Sequence, residues 1–346
     1  MLVLAVPSEK RYVLKNPAIV PEGCTLVKEH KKVTSIKCPE SIGSARSLSE
    51  DLQAFAVDSA ANSQVNADDV QKMHFDGKGT TIAVIDSGVQ CSHPELAGSC
   101  ESGWDFVNND SDASDDNGHG THVAGIITAN GLSPHAKGAA PKATVKAYKV
   151  LRADGGGFFS DIIEAIYAAA DSPEVDVLSM SLGTSSPYLW KNSDCDNASP
   201  EMTAAVNYAL LKGKVVVAAA GNSGSAGVSL PGCISNVLTV GAVDSKDRIA
   251  SFSGRGFAMK EHGVTAPGVA IYSTWIGGGY ATESGTSMAT PLVSALVALV
   301  KQKNSSTTPQ LVRNLFFSKS KDLGKRSADI DYGNGRVDAV ACVKGI

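Results

Sequence analysis

The sequence predicts an α/β protein with a doubly wound, mostly parallel sheet flanked by helices, preceded by a small α+β domain. From about residue 66 onward, short continuous apolar runs alternate with amphipathic helical segments. Such runs suit strands that are buried on both faces of a parallel sheet, and the helices between them form the crossovers. The chain has 346 residues, of which 43% are hydrophobic, enough for one large core and a smaller appendage.

Five apolar runs are interpreted as the buried strands, because each is short and ends in glycine or polar residues. These runs are TTIAVIDSG, ATVKAYKVL, VDVLSMSLG, KVVVAAAGN and NVLTVGAV. Between them, residues 161–171 carry Ile162 and Ile166 on one face, which predicts a helix. Residues 199–213 begin with a serine and end at Gly213, which is typical of a helix with a glycine stop.

The first sixty residues have a different pattern. The strand-like pieces RYVLKN, CTLVKEH and KVTSIKCP come first, and the helix-like piece ESIGSARSL follows them. A polar stretch rich in small residues, DSAANSQVNADD, then indicates a surface linker. We therefore predict one domain over residues 1–60 and a second, larger domain over residues 61–346.

Charge and hydropathy exclude some partners. The net charge of −4 gives no electrostatic attraction for nucleic acid or for an anionic membrane. No apolar run approaches the roughly 20 residues of a membrane-spanning helix. We expect a monomer that binds neither nucleic acid nor a membrane. The opening MLVLAV is too short for a signal peptide and lacks a cleavage site; we expect a secreted protein whose signal lies upstream, and an intracellular protein is the alternative.

The cysteines favour an oxidising compartment. None of them forms a C-x-x-C pair, which disfavours a zinc ribbon. Three disulfides and one free thiol is the expected count, with the pairing left open, and seven reduced thiols in a cytosolic enzyme is the alternative. The seven cysteines are Cys24, Cys38, Cys91, Cys100, Cys195, Cys233 and Cys342.

Three residues suited to nucleophilic catalysis lie where an open α/β sheet gathers functional groups. Asp86 ends the run TTIAVIDSG, and His119 lies in the glycine-framed turn of DDNGHGTHVAG. Ser287 lies in ESGTSMATP, at the start of a long apolar helix. A serine hydroxyl needs a base to take its proton, and a histidine base needs a carboxylate to orient it.

The segments AVIDSG, NGHGTHVAG and GTSMATP resemble the active-site blocks of the subtilisin-like serine proteases, the subtilases, in that family's order Asp, His, Ser. Chymotrypsin-like enzymes and α/β-hydrolases use other orders. A fourth segment, VVVAAAGNSG, also resembles the family. The resemblance, over about residues 62–340, implies a serine endopeptidase of broad specificity, with Asp86, His119 and Ser287 as its triad and Asn222 as a donor to the oxyanion.

The resemblance also implies a substrate site for an extended polypeptide between two strand edges. A turn-forming role alone is an equally good interpretation of Gly156, and Pro231 corresponds to a proline that is often cis in the family. The small pocket walls favour a medium or large apolar side chain before the cut. The implied substrate residues are Gly155, Gly156, Gly157, Ser181, Leu182 and Gly183.

Metal binding is predicted only for structural calcium, and the chemistry requires no cofactor. The acidic run NNDSDASDDNG offers Asp110, Asp112 and Asp115 as ligands, and a solvated polar loop is the alternative. A second calcium site of the family would use Glu95, but the loop around residues 128–136 lacks the usual ligands. His119 and His122 do not form a zinc motif such as H-E-x-x-H, so we expect His122 to pack inside the helix.

The N-terminal segment resembles a shortened subtilase propeptide. This resemblance implies that residues 1–60 assist folding, act as an intramolecular inhibitor and are removed by self-cleavage between about Val57 and Val65. A permanent extension is one alternative. A latent zymogen, or a catalytically silent binding module with this fold, is another, although all four catalytic positions are filled.

Overall fold

The computed structural model describes residues 9–15, 19–29, 33–39, 41, 49–50 and 60–346. The chain divides into two compact units, Met1–Val57 and Asp58–Ile346. This division lies close to the predicted domain boundary at residue 60. The helix predicted at residues 40–48 lies outside the described residues except for residue 41, and the start of the predicted cleavage region, residues 57–59, is also outside them.

The first unit contains an antiparallel sheet with the strand order β2-β3-β1-β4. The register of β1 and β3 runs from Glu9 opposite Pro39 to Lys15 opposite Val33. A small core contains Ile36 and the disulfide-bonded Cys38. The three strand-like pieces predicted from the sequence are therefore strands. The strands are β1 (Glu9–Lys15), β2 (Thr25–Glu29), β3 (Val33–Pro39) and β4 (Ser49–Glu50).

The second unit is built on a parallel sheet of seven strands in the order β13-β12-β10-β8-β5-β7-β6. This confirms the predicted doubly wound sheet. The chain enters at β5 and extends the sheet to both sides of it, which makes the carboxyl end of β5 the switch point where ligands bind in such folds. The strands are β5 (Thr81–Asp86), β6 (Cys100–Asp105), β7 (Thr144–Lys149), β8 (Val175–Met180), β10 (Val215–Ala219), β12 (Leu238–Val243) and β13 (Gly263–Pro267).

Two short antiparallel pairs and a set of helices complete this unit. The pairs are β9 (Leu189–Trp190) with β11 (Val228–Ser229), and β14 (Ile271–Trp275) with β15 (Gly279–Glu283). The helices are α1 (Ala60–Gln64), α2 (Ala67–Lys72), α3 (His119–Thr128), α4 (Phe159–Asp171), α5 (Pro200–Leu211), α6 (Phe257–His262), α7 (Thr286–Lys303), α8 (Pro309–Lys319) and α9 (Ala339–Lys344).

Two hydrophobic cores lie on opposite faces of the parallel sheet. Ile82 and Val84 of β5 pack in one core with α3 and α7, whereas Ala83 and Ile85 pack in the other with α4 and α5. Successive side chains of a strand point to opposite faces, so a strand covered on both faces is apolar at most of its positions. The helix α7 buries 15 of its 18 residues, which explains its apolar sequence.

Disulfides join Cys91 to Cys100 and Cys195 to Cys233, in addition to the Cys24–Cys38 bond of the first unit. Cys342 is free and buried. The predicted count of three disulfides and one thiol is confirmed, and the structure assigns the pairing. The Leu230–Pro231 peptide bond is cis, as the resemblance implied. Within the described ranges, no helix is long and apolar enough to cross a membrane.

A buried carboxylate fastens the hairpin β14–β15 to a loop that follows α3. Oε2 of Glu95 accepts the N–H groups of Gly131 and Leu132 at 2.7 and 2.9 Å. Its Oε1 accepts the N–H of Ser133 at 2.6 Å and the hydroxyl of Tyr280 at 3.0 Å. These four bonds use the acceptor positions of the carboxylate, and they give Glu95 a structural role.

Replacing this carboxylate should destabilise the unit. In Glu95→Gln the amide nitrogen faces main-chain N–H groups that then lose their acceptor, and we expect the free energy of unfolding to fall by about 3 kcal/mol. Urea unfolding of the wild type and of the variant measures the change. Glu174→Gln, which breaks an exposed ion pair with Lys146, is the control and should change the free energy by less than about 0.5 kcal/mol. Equal effects of the two substitutions would contradict the assigned role.

Candidate active site

The carboxylate at the carboxyl end of β5 orients a histidine. Asp86 is fully buried, and its Oδ1 accepts the N–H of Ser87 and the Nδ1–H of His119, both at 2.7 Å. A proton held on Nδ1 leaves Nε2 of the ring as the basic nitrogen. The His119 side chain is 28% exposed and lines the cleft described below, so this base is accessible to a substrate.

Asp115 shapes the turn that presents His119. Its Oδ1 accepts the N–H groups of Asn117 and Gly118 and the hydroxyl of Ser87, at 2.9 to 3.0 Å. Its Oδ2 accepts the N–H and the hydroxyl of Thr121 at 2.9 and 2.6 Å. The carboxylate thus satisfies N–H groups around the start of α3, where a negative charge also suits the helix dipole.

Close packing explains two glycines of this turn. A Cβ at Gly118, whose φ is 111°, would lie 2.5 Å from the indole of Trp275. A Cβ at Gly120 would collide with the carbonyl oxygen of Gly88. The glycines therefore let the histidine turn pack against the hairpin β14–β15 and against the loop after Asp86.

Ser287 is held at the end of β8 by a reciprocal pair of hydrogen bonds. Its hydroxyl donates to the carbonyl oxygen of Ser181 at 3.1 Å, and the Ser181 hydroxyl donates to the Ser287 carbonyl oxygen at 2.8 Å. No hydrogen bond joins Ser287 to His119 in the described structure. Hydrogen bonds between active-site groups are commonly loose before substrate binds, so this geometry is compatible with the predicted roles of both residues.

The side-chain amide of Asn222 is oriented by Thr286. Oδ1 of Asn222 accepts the N–H of Thr286 at 2.9 Å and its hydroxyl at 3.1 Å. The Thr286 hydroxyl in turn accepts the N–H of Gly221 at 3.1 Å. Because both contacts use the amide oxygen, Nδ2 is left to donate into the cleft. The sequence reasoning missed Thr286; its place directly before the serine was the available signal.

These groups line one cleft of about 700 Å³. The structure brings His119, Asn222 and Ser287 together there with all six residues predicted to bind substrate. Gly155 has a φ of 79°, and a Cβ at Gly157 would collide with the carbonyl oxygen of Val150, so both glycines also serve the turn itself. Asp86 lies behind His119 and is not part of the cleft surface.

The chain is similar to known proteases over most of its second unit, and it matches the subtilase family over residues 77–335. The chain belongs to the subtilase family. It is 39% identical to Subtilisin BL of Lederbergia lenta over 282 residues, 82% of this chain and 97% of that protein. It is 43% identical to Thermitase of Thermoactinomyces vulgaris over 234 residues, 67% of this chain and 78% of that protein.

Two further comparisons agree. The chain is 48% identical over 223 residues to the Thermophilic serine proteinase of Bacillus sp. (strain AK1), which covers 64% of this chain but only 52% of that protein. The crystal structure of a cold adapted subtilisin-like serine proteinase superposes with a TM-score of 0.65 at 36% identity, covering 76% of this chain and 90% of the other. This subtilase is therefore a serine endopeptidase, as the sequence predicted.

His122 has a structural position in the subtilase. Its Nε2 lies 3.1 Å from the carbonyl oxygen of Ile271 and 3.2 Å from that of Ala281, and its ring is fully buried. Burial lowers the pKa of His122 to about 4. The ring is then neutral at physiological pH and donates to the hairpin β14–β15, which agrees with the expected packing role.

The carboxylates of the acidic run before the histidine turn accept hydrogen bonds within their own loop. Asp110 accepts the N–H of Asp112. Asp112 accepts the hydroxyl and the N–H of Ser114, and these two hydrogen bonds lower the pKa of the Asp112 carboxyl. Asp115 is occupied by the histidine turn. In the part of the chain that the structure describes, no group of three or more His, Cys, Asp or Glu side chains is arranged to hold a metal. Calcium binding stays a prediction that these geometries do not support.

Opposing effects set the pKa of His119. Burial of the ring lowers this pKa, whereas the charge and the hydrogen bond of Asp86 raise it. The charges of Asp115 and Glu283 also raise it, and the net pKa of His119 lies above the ordinary value of 6.5. A base must be neutral to accept a proton, so the predicted role of His119 implies that activity is complete above this pKa and is lost as the pH falls through it.

The acid limb of kcat/KM, measured with a fluorogenic peptide from pH 5 to 9, should therefore have its midpoint above pH 6.5, with a loss of about tenfold for each further unit. Glu283→Gln should move this midpoint to lower pH because a negative charge near the ring is removed. Asp171→Asn changes an exposed carboxylate far from the site and should leave it unmoved. A wild-type midpoint at or below 6.5 would show that Asp86 does not dominate over burial.

The orientation of Asn222 can be tested through Thr286. Loss of one oxyanion donor typically costs about 10²–10³ in kcat, so Asn222→Ala should fall in that range. Thr286→Val removes one hydrogen bond to Oδ1, worth about 1 kcal/mol, and should lower kcat about fivefold. In an Asn222→Ala background the same substitution should have almost no further effect. Thr290→Val, whose hydroxyl bonds only to the Thr286 carbonyl one helical turn away, is the control.

Proposed function

We propose that this subtilase cleaves internal peptide bonds of polypeptides through an acyl-enzyme formed on Ser287. The observation that carries this proposal is the 2.7 Å hydrogen bond from His119 Nδ1 to Asp86 Oδ1, made beside a cleft that contains Ser287 and Asn222. Asp86 holds the reactive tautomer of His119 and stabilises the imidazolium that forms during the reaction.

The reaction proceeds in two halves. The Ser287 hydroxyl leaves the Ser181 carbonyl, gives its proton to Nε2 of His119, and its oxygen bonds to the scissile carbonyl carbon. The C–N bond then breaks while His119 returns the proton to the leaving amine. Water repeats the sequence on the ester and releases Ser287. In both halves the Asn222 Nδ2–H and the Ser287 N–H donate to the negatively charged carbonyl oxygen.

The substrate lies extended between the two segments that flank the cleft. Residues 155–157 form one edge and residues 181–183 the other, and a peptide pairs with them through its main chain. Ser229 lies close behind the glycines Gly183 and Gly221, and its hydroxyl donates to the Thr184 carbonyl oxygen. With its walls formed by these small residues, the pocket accepts a medium or large apolar side chain before the cut.

The first unit acts as a propeptide that inhibits the protease and is removed by it between about Val57 and Val65. Support comes from the division of the chain at residue 57 and from the separate core and disulfide of this unit. Secretion belongs to the same proposal, because disulfides persist mainly in oxidising compartments. A latent zymogen would keep its N-terminal unit and stay inactive.

Intact mass spectrometry with a fluorophosphonate serine probe tests the proposal. We expect one adduct on a species that has lost about 60 N-terminal residues, consistent with the domain division. Ser287→Ala should stay full length, take no adduct and lose activity by a factor on the order of 10⁶. Ser160→Ala, a change at an exposed serine, should behave like the wild type.

The other outcomes are equally informative. An adduct on the full-length chain would support the triad and contradict self-processing. A full-length chain without an adduct would overturn the proposal in favour of a latent zymogen or a silent binding module. An adduct that persists in Ser287→Ala would place the nucleophile elsewhere.

A further inference from the structure

A lysine is buried beside the catalytic carboxylate. Lys149 is the last residue of β7, and the parallel register places it next to Asp86 of β5 on one side and Asp105 of β6 on the other. Its side chain is only 2% exposed. An ammonium group is costly to bury unless each of its protons has a hydrogen-bond acceptor. The groups that accept its protons therefore indicate which parts of the structure the buried lysine holds in place.

Each proton of the ammonium has an acceptor. The Nζ of Lys149 donates to the carbonyl oxygens of Ser87 and Leu151 at 2.8 and 2.7 Å, and to Oδ1 of Asp116 at 2.6 Å. An ammonium has three donors and no more. Two of the acceptors belong to the main chain, so the lysine fixes backbone positions, and the Asp116 carboxylate supplies the compensating charge.

The three acceptors come from three segments that meet at the active site. Ser87 follows the catalytic Asp86 and donates its N–H to that carboxylate. Leu151 begins the segment that continues to Gly157, and both residues line the cleft. Asp116 lies in the turn before His119. One ammonium therefore connects the triad with the proposed substrate edge.

We propose that Lys149 is a positioning residue that holds the substrate edge, residues 151–157, in register with the triad. The inference rests on the proposed function of that edge. Lys149 touches no reacting atom and acts through the Ser87 and Leu151 carbonyl groups. A long substrate binds the edge and presents its scissile carbonyl to Ser287 at the same time, so a shift of about 1 Å between the two can cost about 10² in rate.

The dependence of rate on substrate length separates this role from a general effect on folding. We would measure kcat/KM for a one-residue ester and for peptide substrates with up to four residues before the scissile bond. Each value would be divided by the concentration of active sites, titrated with the fluorophosphonate probe. In Lys149→Met the gain from lengthening should fall by about tenfold or more, whereas ester hydrolysis per active site should change by less than about threefold. Lys146→Met is the matched control on the same strand, because it breaks only the ion pair with the partly exposed Glu174, and should keep the full gain.

A second variant decides the question if Lys149→Met does not fold. Asp116 is 52% exposed, so Asp116→Ala should fold, and it should reduce the gain from lengthening in the same direction by a smaller factor. Equal losses on the ester and on the peptides, or an unchanged gain in both variants, would overturn the role of Lys149. A wild-type enzyme that gains nothing from longer peptides would instead overturn the proposed substrate edge.

Discussion

The hydrogen bond between Asp86 and His119 sets the positions of most groups around the active site. It joins the end of the central strand to the first residue of α3, and therefore needs the loop after Asp86 to lie against the histidine turn. Ser87 makes that contact, because its hydroxyl donates to Asp115 and accepts the N–H of Gly120. The glycines of the turn permit the close approach. A 2.7 Å contact between two side chains thus depends on the close approach of the loop after Asp86 to the histidine turn.

Three carboxylates of the second unit accept main-chain N–H groups. Asp86, Asp115 and Glu95 each bind at least one such group, and Glu95 binds three. Acidic residues in loops also suggest calcium in a sequence, because the same oxygens can bind a cation. In Glu95 and Asp115 those oxygens accept four and five hydrogen bonds from the protein. Sequence composition alone cannot distinguish these states.

The alternation of apolar runs and helices was sufficient to predict the parallel sheet, because strands covered on both faces carry few polar side chains. The motif order predicted Asp86, His119 and Ser287 as the triad, and the structure brings His119 and Ser287 into one cleft. The positioning residues could not be predicted in this way. Thr286 resembles any helix-start threonine, and Lys149 in ATVKAYKVL resembles a solvated lysine at a strand end. Their partners, Asn222 and Ser87, are about 60 residues away in the sequence, so only the folded chain reveals the contacts.

The burial of Lys149 follows from the same sheet order that creates the active site. The carboxyl ends of parallel strands lie along the same side of the sheet. There the register places Asp86, Lys149 and Asp105 side by side on three adjacent strands. Beyond these carboxyl ends the loops leave the sheet, and their carbonyl groups lose the hydrogen bonds to neighbouring strands that they would have inside it. An ammonium at the end of the middle strand satisfies two of these carbonyl groups and keeps the loops together. The carboxyl ends of the strands, where such a sheet gathers functional groups, are thus also where it needs buried donors, and a buried cation lies there beside Asp86.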